Sequence, residues 1–467
     1  MLNLELINII EACGGEVHFP QDLCWEEKKH MKIKNAVSDS RKVEEGSVFV
    51  AIKGEKTDGH NYITDVFNKG ALAVICEKFP EKLTGICIKV ENSVEAVQKA
   101  AEFYRNRLGA EGLKVVGITG SVGKTSTREF VAEVLSQKYR VHRTHGNQNN
   151  LLGLPLEILS IEPDTEIAVL EMGISVFGEM RVLSAMAQPN VAIITNIGEC
   201  HLENLGDRDG VLKEKSDIFS SMKEDGIAVL NGLDDKLANV TSVNGKAPYW
   251  FGRDVDSSYV SEIKNTDMFG SDVTISLNMK EKDSIEVRVP LPGKHMVGNA
   301  TVAALVGKLF DVDNESIKKG IENVKPTGGR SNIVKTDKYV LIDDCYNANP
   351  LSMRAALNLL CLSRTRKVAI LGDMFELGEE QLLMHKEIGE FAASAGIDVM
   401  IFVGEMAERM MEGANEKADL SKQKLFYFKT KEEMLIRSGE ILEKGDTVLI
   451  KASNGMHFKE ILERLKN

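Results

Sequence analysis

The chain has 467 residues, of which 43% are hydrophobic and 27% are charged, a composition typical of an ordinary globular protein with two to four domains. Its 58 basic and 70 acidic side chains give a net charge of −12, which argues against a nucleic-acid partner or an anionic membrane but leaves room for a local basic pocket. The seven cysteines are irregularly spaced without a Cys-x-x-Cys pair, and no apolar stretch approaches the ~20 residues that span a bilayer. We therefore expect a cytoplasmic protein without a disulfide framework, a zinc site or membrane insertion.

Residues 1–108 form the first predicted unit, a small α/β domain. Short apolar runs at residues 48–52 and 71–75 alternate with polar turns, and a helical pattern at residues 93–108 ends the unit. Residues 109–112 contain two glycines in four positions and are predicted to be a linker.

Residues 109–324 form the second predicted unit, in which an apolar strand leads into a glycine loop and then a helix. Continuous apolar runs separated by helical stretches predict a parallel sheet that is buried on both faces. These runs lie at residues 113–119, 167–170, 191–194 and 227–230. From residue 249 to 292 apolar and polar residues alternate, which predicts an antiparallel insertion.

Residues 325–467 form the third predicted unit and repeat the βα pattern of a Rossmann-like domain. Its strands are predicted at residues 339–342, 368–371, 399–403 and 448–450. The predicted fold class is therefore α/β with three domains, in which a central parallel-sheet domain of the P-loop ATPase type is flanked by two other α/β domains.

The strongest local motif joins the first strand of the second unit to its helix. This phosphate loop consists of Thr119, Gly120, Ser121, Val122, Gly123, Lys124 and Thr125. Glycines let backbone N–H groups turn toward phosphate oxygens, the lysine reaches the β- and γ-phosphates, and the threonine hydroxyl can bind Mg²⁺. Ile118 stands where the usual motif has its first glycine, so the loop is a variant. It predicts nucleotide binding, but a phosphate loop alone does not identify the reaction.

Three further polar residues of the second unit are candidates for the site. Glu171 directly follows the run at residues 167–170, where it would face the phosphate loop and could hold magnesium, although a turn or helix-cap residue also fits. His201 follows the next strand, and both a metal ligand and an ordinary histidine fit its position. By composition alone, Lys215 belongs to a solvated, charged helix.

Together with residues 293–299 (GKHMVGN), these residues resemble the Mur ligases, three-domain enzymes that build the peptide of peptidoglycan precursors in the cytoplasm. The resemblance covers essentially the whole chain. Within the family, several segments are similar to the member that adds D-alanyl-D-alanine, and the segment at residues 346–350 is the most specific of them. These segments are residues 38–41 (SDSR), 58–60 (DGH), 146–150 (GNQNN), 343–350 (DDCYNANP) and 372–378 (GDMFELG).

The resemblance implies an ATP-dependent, Mg²⁺-dependent ligase that joins D-alanyl-D-alanine (D-Ala-D-Ala) to UDP-N-acetylmuramoyl-tripeptide (UDP-MurNAc-tripeptide) through an acyl phosphate. It implies that Lys124, His201 and Lys215 are catalytic and that Lys215 is a candidate for carbamylation by CO₂. The implied metal ligands are Thr125, Glu171, His201 and Lys215. Besides the phosphate loop, the implied ATP contacts are Asn299, Arg330 and Asp344. The implied substrate contacts are Ser40 and Arg41 near the uridine end, with Asn149, Asn150, Asn347 and Asn349.

The resemblance also carries expectations about the arrangement of the chain. We expect a monomer. The implied ATP contacts are divided between the second and third units, so we also expect ATP to favour a closed arrangement of the domains. Where the family tends to have Lys-Gly-Ser-Arg, this chain has residues 451–454 (KASN), and Asn454 replaces the arginine.

Other functions stay open at this point. The alternatives within the superfamily are the ligase that adds the third residue and a folylpolyglutamate synthase, and residues 346–350 weigh against both. A nucleotide-dependent switch or motor would need a strand ending in Asp beside a catalytic Glu, whereas Glu171 stands alone. A dehydrogenase is disfavoured because no Gly-x-Gly-x-x-Gly follows a strand of the third unit. The sequence does not distinguish lysine from diaminopimelate in the tripeptide.

Overall fold

The fold is known from a computed structural model that describes residues 2–279 and 282–466. Within these ranges the strands form three sheets of five, nine and six strands, and each sheet is built from one continuous part of the chain. The predicted α/β class is therefore confirmed. The domain boundaries at residues 108/109 and 324/325 stay predictions.

The first sheet has the order β1-β5-β4-β3-β2 and is parallel except for β1. Its strands are β1 Glu16–His18, β2 Ala36–Val37, β3 Val48–Val50, β4 Ala73–Cys76 and β5 Ile86–Lys89. The helices of this part are α1 Leu6–Cys13, α2 Trp25–Lys28, α3 Ile63–Asn68 and α4 Ser93–Ala110. Helix α4 contributes buried residues to a hydrophobic core that the first sheet shares with one face of the second. The two sheets are thereby packed together.

The linker predicted at residues 109–112 is only partly correct, because α4 runs through Ala110 and only residues 111–113 connect it to the strand that begins at Lys114. A Cβ atom on Gly109 would lie 2.4 Å from Nη1 of Arg105, so this glycine makes room for a buried arginine instead of forming a hinge. Arg105 is fully buried, and its Nε and Nη2 donate to the carbonyl oxygens of Ala187 and Gln188 at 2.9 and 3.1 Å.

We expect Arg105→Ala to lower the free energy of unfolding by about 2–3 kcal/mol, because it leaves a cavity and two carbonyl groups without their donor. Urea titration followed by circular dichroism measures this change. Arg107→Ala, on the half-exposed side of the same helix, is the matched control and should stay within about 0.5 kcal/mol of the unaltered protein. Equal losses in both variants would contradict the role assigned to Arg105.

The second sheet has the order β14-β13-β12-β11-β10-β9-β6-β8-β7. Its strands are β6 Lys114–Thr119, β7 Val141–Arg143, β8 Ile167–Glu171, β9 Val191–Ile194, β10 Ile227–Asn231, β11 Tyr249–Gly252, β12 Ser258–Asp267, β13 Gly270–Asn278 and β14 Lys282–Val289. The helices are α5 Lys124–Leu135, α6 Gly153–Ile158, α7 Glu179–Ala187, α8 Leu202–Leu205, α9 Arg208–Ser216, α10 Lys294–Leu309 and α11 Asn314–Glu322.

The antiparallel insertion predicted at residues 249–292 is only partly correct. Strands β12 to β14 are antiparallel, but β11 pairs in parallel with both β10 and β12. These strands also continue the nine-stranded sheet instead of forming a separate layer. Strand β7 was not predicted, because three half-buried residues give too short a pattern.

The third sheet has the order β15-β16-β20-β17-β18-β19, and only the edge strand β15 is antiparallel. Its strands are β15 Asn332–Lys335, β16 Val340–Asp343, β17 Lys367–Gly372, β18 Val399–Val403, β19 Lys424–Phe428 and β20 Thr447–Lys451. Its helices are α12 Pro350–Leu360, α13 Gln381–Ser394, α14 Ala407–Lys417, α15 Lys431–Ile441 and α16 Lys459–Lys466. Among the helices of the described ranges, none combines the length and apolarity needed to cross a membrane.

The topology determines where a site can form. Strand β6 lies between β8 and β9, so the chain leaves β6 to one side of the sheet and later returns on the other. Ligands of open α/β sheets bind beyond the carboxyl ends of the strands at such a reversal. The phosphate loop, Glu171 and Thr195 follow or end these three strands and therefore lie at one edge.

Candidate active site

The phosphate loop is held in place by the residues that follow β9. Asn196 accepts a hydrogen bond from the backbone N–H of Val122 and donates one to its carbonyl oxygen, both at 2.9 Å. Thr195 Oγ1 donates to the same carbonyl at 2.7 Å. Gly120 has a φ of +152°, and a Cβ there would lie 1.9 Å from Thr195 Oγ1, so only glycine fits. Contacts with Thr195 and Asn196 therefore fix the conformation of the loop.

The helix that follows the loop begins at Lys124 after Gly123, whose φ of +83° is left-handed. No side chain caps this helix, so its first backbone N–H groups are available to an anion. Lys124 Nζ donates to the carbonyl oxygen of Gly120 at 2.7 Å, and burial lowers its pKa while Glu171 opposes that change. The lysine thus lies within the loop that it is predicted to serve.

Glu171 is almost fully buried at the end of β8, which excludes the alternative of a turn or helix-cap residue. Its Oε2 accepts from Thr125 Oγ1 at 2.8 Å, and its Oε1 accepts from Asn149 Nδ2 at 2.8 Å. Arg128 Nη1 lies 3.3 Å from Oε2, and Thr144 Oγ1 accepts from the backbone N–H of Glu171 at 2.9 Å. A threonine hydroxyl and a carboxylate therefore meet at the loop, as oxygen ligands for Mg²⁺ would.

Arg128 was missed by the sequence analysis. It lies three residues after Thr125 on α5 and therefore on the same face of that helix, which is the signal that could have identified it. Its side chain is only 4% exposed.

The interpretation of Lys215 as a solvated helix residue is wrong. Lys215 is 1% exposed, whereas Lys213 on the same helix is exposed. Burial chiefly, together with the positive charge of Lys124, lowers the pKa of Lys215 to about 8. Its Nζ makes no hydrogen bond or ion pair with another described residue. Lys215 is a buried amine close to the phosphate loop.

His201 connects the second unit to the third. Its Nδ1 lies 2.6 Å from Oε2 of Glu376, close enough for an ion pair, although the angle is not that of a hydrogen bond. The contact with His201 lowers the pKa of Glu376. Histidines that bind metals usually direct their other ring nitrogen to a carboxylate in this way, which leaves Nε2 for the metal. Both residues have positive φ, +54° and +64°.

Asn299 lies beside the turn of the loop. Its Oδ1 accepts a hydrogen bond from Thr127 Oγ1 at 3.0 Å, and it would lie 3.6 Å from a Cβ on Gly123. The start of α10 therefore adjoins the turn of the loop, as an ATP contact requires.

Arg330 and Asp344 belong to the third unit. The guanidinium of Arg330 stacks on the ring of Tyr346 at 4.0 Å, and its charge contributes to the lowered pKa of Lys124. Asp344 accepts from Lys451 Nζ at 2.6 Å and from the backbone N–H of Ser331 at 2.8 Å. Arg330 is thus near the phosphate loop, whereas the carboxylate of Asp344 forms an ion pair with Lys451.

The remaining predicted residues are not gathered at the loop. Arg41 is 86% exposed in the first unit and pairs with Asp39, and the carbonyl of Ser40 accepts from Lys69. The side-chain oxygen of Asn150 accepts a hydrogen bond from the backbone N–H of Gly153 at the start of α6, and that of Asn349 caps α12. Asn347 and Asn454 are both exposed. Contacts of these residues with substrate stay predictions.

A cavity of about 1160 Å³ opens beside the contact between His201 and Glu376. Acidic side chains outnumber basic ones in its lining, which includes Glu199, Glu203, Asp207, Asp235 and Glu379. This lining suits a cationic group better than a polyphosphate, so we do not expect ATP to bind there.

Family models cover most of the chain. Residues 118–307 match the Mur ligase middle domain, and residues 329–454 match the Mur ligase, glutamate ligase domain. Residues 32–116 match the model described as Mur ligase family, catalytic domain. Each of the three matched segments contains most of one of the three sheets.

The chain is also similar to named proteins over its full length. It is 36% identical to the UDP-N-acetylmuramoyl-tripeptide--D-alanyl-D-alanine ligase of Bacillus subtilis, over 100% of this chain and 99% of that protein. Its fold matches a crystal structure of MurF from Acinetobacter baumannii with a TM-score of 0.88 at 30% identity, over 99% and 98% of the two chains. It matches the MurF ligase of Thermotoga maritima in complex with ADP with a TM-score of 0.80 at 29% identity, over 93% and 98%.

Proposed function

The chain belongs to the Mur ligase family, and we propose that it joins D-alanyl-D-alanine to UDP-MurNAc-tripeptide in peptidoglycan synthesis, with cleavage of ATP to ADP and phosphate. The observation that carries this proposal is the full-length similarity to ligases of that name, together with a phosphate loop built at the reversal point of the second sheet. The ligase that adds the third residue and folylpolyglutamate synthase match this chain in fold alone, at 16% and 15% identity.

The reaction needs activation because a carboxylate does not condense with an amine in water. We propose that the tripeptide carboxylate attacks the γ-phosphorus of ATP, which gives an acyl phosphate and ADP. The amine of D-Ala-D-Ala then attacks the acyl carbon and releases phosphate. Negative charge concentrates at the transferred phosphoryl group, so the site needs fixed positive groups. Lys124 and the N–H groups at the start of α5 supply them.

We propose that two Mg²⁺ ions bind at this edge of the sheet. Thr125, Glu171, His201 and Lys215 would hold them. Bound there, the ions would neutralise charge on the phosphates. Lys215 suits this role after carbamylation, since the reaction with CO₂ needs a neutral amine and burial lowers its pKa to about 8. A carbamate would turn this amine into an anionic oxygen ligand, which Mg²⁺ prefers.

Water must be excluded, because it would hydrolyse an acyl phosphate. The contact between His201 and Glu376 and the proximity of Arg330 to Lys124 join the second and third units around the loop. We propose that bound ATP strengthens this association and that the protein acts as a monomer in the cytoplasm, where its small-molecule substrates would be found.

We expect phosphate release only when ATP, Mg²⁺, UDP-MurNAc-tripeptide and D-Ala-D-Ala are all present. A coupled phosphate assay measures this, with each component omitted in turn. The controls are UDP-MurNAc-dipeptide with L-lysine or diaminopimelate, and a folate with glutamate. Turnover with one of these amino acids but not with D-Ala-D-Ala would assign the chain to another ligase of the family. Amide formation without consumption of ATP would contradict the acyl-phosphate route.

A further inference from the structure

Two histidines and a glutamate that have no role in the proposed reaction converge beside β7. Nε2 of His142 and Nδ1 of His145 each lie 2.8 Å from the same oxygen, Oε1 of Glu157. The three ligand atoms lie within 4.8 Å of one another. His142 is on β7, His145 follows that strand, and Glu157 is on α6.

The geometry of this cluster fits a metal ion. The two imidazole rings have centroids 5.6 Å apart and planes at 72°. An ion about 2.0–2.1 Å from one nitrogen of each ring would place the centroids roughly 5–6 Å apart in tetrahedral geometry. The side chains would need to separate by only a few tenths of an ångström, roughly, because the present contacts are of hydrogen-bond length.

The environment of the cluster also suits an ion. Glu157 and His142 have side chains that are 2% and 9% exposed, so these two ligands are held by packing. The side chain of His145 is 74% exposed, which leaves a path from solvent and room for a water molecule as fourth ligand. Two imidazoles with one carboxylate form a donor set typical of Zn²⁺ and related ions, not of Mg²⁺ or Ca²⁺.

The cluster is linked to the nucleotide site by the chain itself. Thr144, between the two histidines, accepts a hydrogen bond from the backbone of Glu171. Asn149, four residues after His145, donates to the carboxylate of Glu171. An ion that joins the end of β7 to α6 would therefore hold both ends of the segment that supports Glu171.

We propose that His142, His145 and Glu157 bind one divalent transition-metal ion of the Zn²⁺ class, which orders residues 143–153 next to the nucleotide site. The cluster is a positioning device in this proposal and touches neither ATP nor the peptide. The proposal does not depend on the ligase activity, because the residues and the expected binding are separate from the reaction.

The test is a Zn²⁺ titration of the full chain against a chromophoric chelator, with excess Mg²⁺ and ADP present to occupy the nucleotide site. We expect one equivalent of Zn²⁺ to bind and His145→Ala to weaken that binding at least 10-fold, since loss of an outer-shell partner alone typically costs about 10–100-fold. Hydrogen exchange should slow in residues 143–153 when Zn²⁺ is added to the unaltered protein, and not in the variant.

His30→Ala is the matched control, because Nδ1 of His30 also contacts a glutamate, Glu5, at 2.7 Å but belongs to no cluster of three metal-ligating side chains in the part of the chain that the structure describes. This variant should bind Zn²⁺ as the unaltered protein does. Glu157→Gln gives a second test that keeps the shape of the side chain. Equal Zn²⁺ affinity in the unaltered protein and in both cluster variants, or no bound equivalent in the unaltered protein, would overturn the proposal.

Discussion

Lys215→Met is expected to lower ligase turnover roughly 100-fold or more and, at pH 7 in CO₂-free buffer, to raise the free energy of unfolding by about 3 kcal/mol. The gain in stability follows from replacing a buried amine that has no partner among the described residues. The apolar side chain removes the cost of a buried charge but also removes the group that we propose to become a metal ligand. The comparison would thus show that the unaltered protein gives up stability for function.

The gain in stability has a defined pH dependence. The pKa of Lys215 is about 8 in the folded protein, against an ordinary lysine value of about 10.4. Between these values the unfolded state binds the proton and the folded state does not, so the unaltered protein becomes more stable as the pH rises from 8 to about 10.4. The difference between the unaltered protein and Lys215→Met should be full below pH 8 and should disappear by about pH 10.4. Denaturant titrations across this pH range measure it.

Lys213→Met is the control, because Lys213 lies on the same helix but is exposed. It should leave both turnover and stability almost unchanged. Addition of a short carboxylate such as formate should restore part of the turnover of Lys215→Ala, since it can replace the carbamate as an oxygen ligand. Full activity in Lys215→Ala would remove this residue from the site.

The edge of the second sheet was predictable because local patterns define it. Continuous apolar runs located β6, β8 and β9, and the residues that end or follow them, among them Glu171, had to meet at one edge. The residue types of the glycine loop indicated a nucleotide as its ligand. These inferences need only the periodicity of strands and the topology of parallel sheets.

The errors have a common cause, which is that burial of a charged residue depends on distant parts of the chain. The charged residues next to Lys215 in the sequence suggest that it is exposed to solvent. Its burial depends instead on how α9 packs. Gly109 looks like a linker residue in the sequence. Its actual role is to leave room for Arg105, whose burial depends on contacts with the distant residues Ala187 and Gln188. The contact between His201 and Glu376 joins two units and has no local signal.

The metal-binding cluster was missed for a different reason. The sequence analysis judged zinc binding from cysteine spacing, and the three ligands here are histidine and glutamate. His142 and His145 are three residues apart, but the third ligand is supplied by a helix that packs back onto the end of the strand. Only the position of α6 brings Glu157 to them.

Lys124→Met is expected to lower kcat roughly 10²–10³-fold, the effect of removing one fixed donor from developing negative charge. Its ammonium donates to the carbonyl of Gly120 within the phosphate loop, so it is held where the phosphates of ATP would bind. Steady-state kinetics with ATP as the varied substrate measure the change.

The division of that loss between kcat and KM distinguishes two roles for the lysine. If Lys124 acts on charge that develops during phosphoryl transfer, kcat falls while the KM for ATP changes little; if it only shapes the loop, ADP binding and thermal stability fall as well. Lys114→Met is the matched control, because Lys114 is exposed at the opposite end of β6 and cannot reach the loop. A kcat for Lys124→Met within a few-fold of that control would contradict phosphoryl transfer at this loop, because no other lysine lies on it.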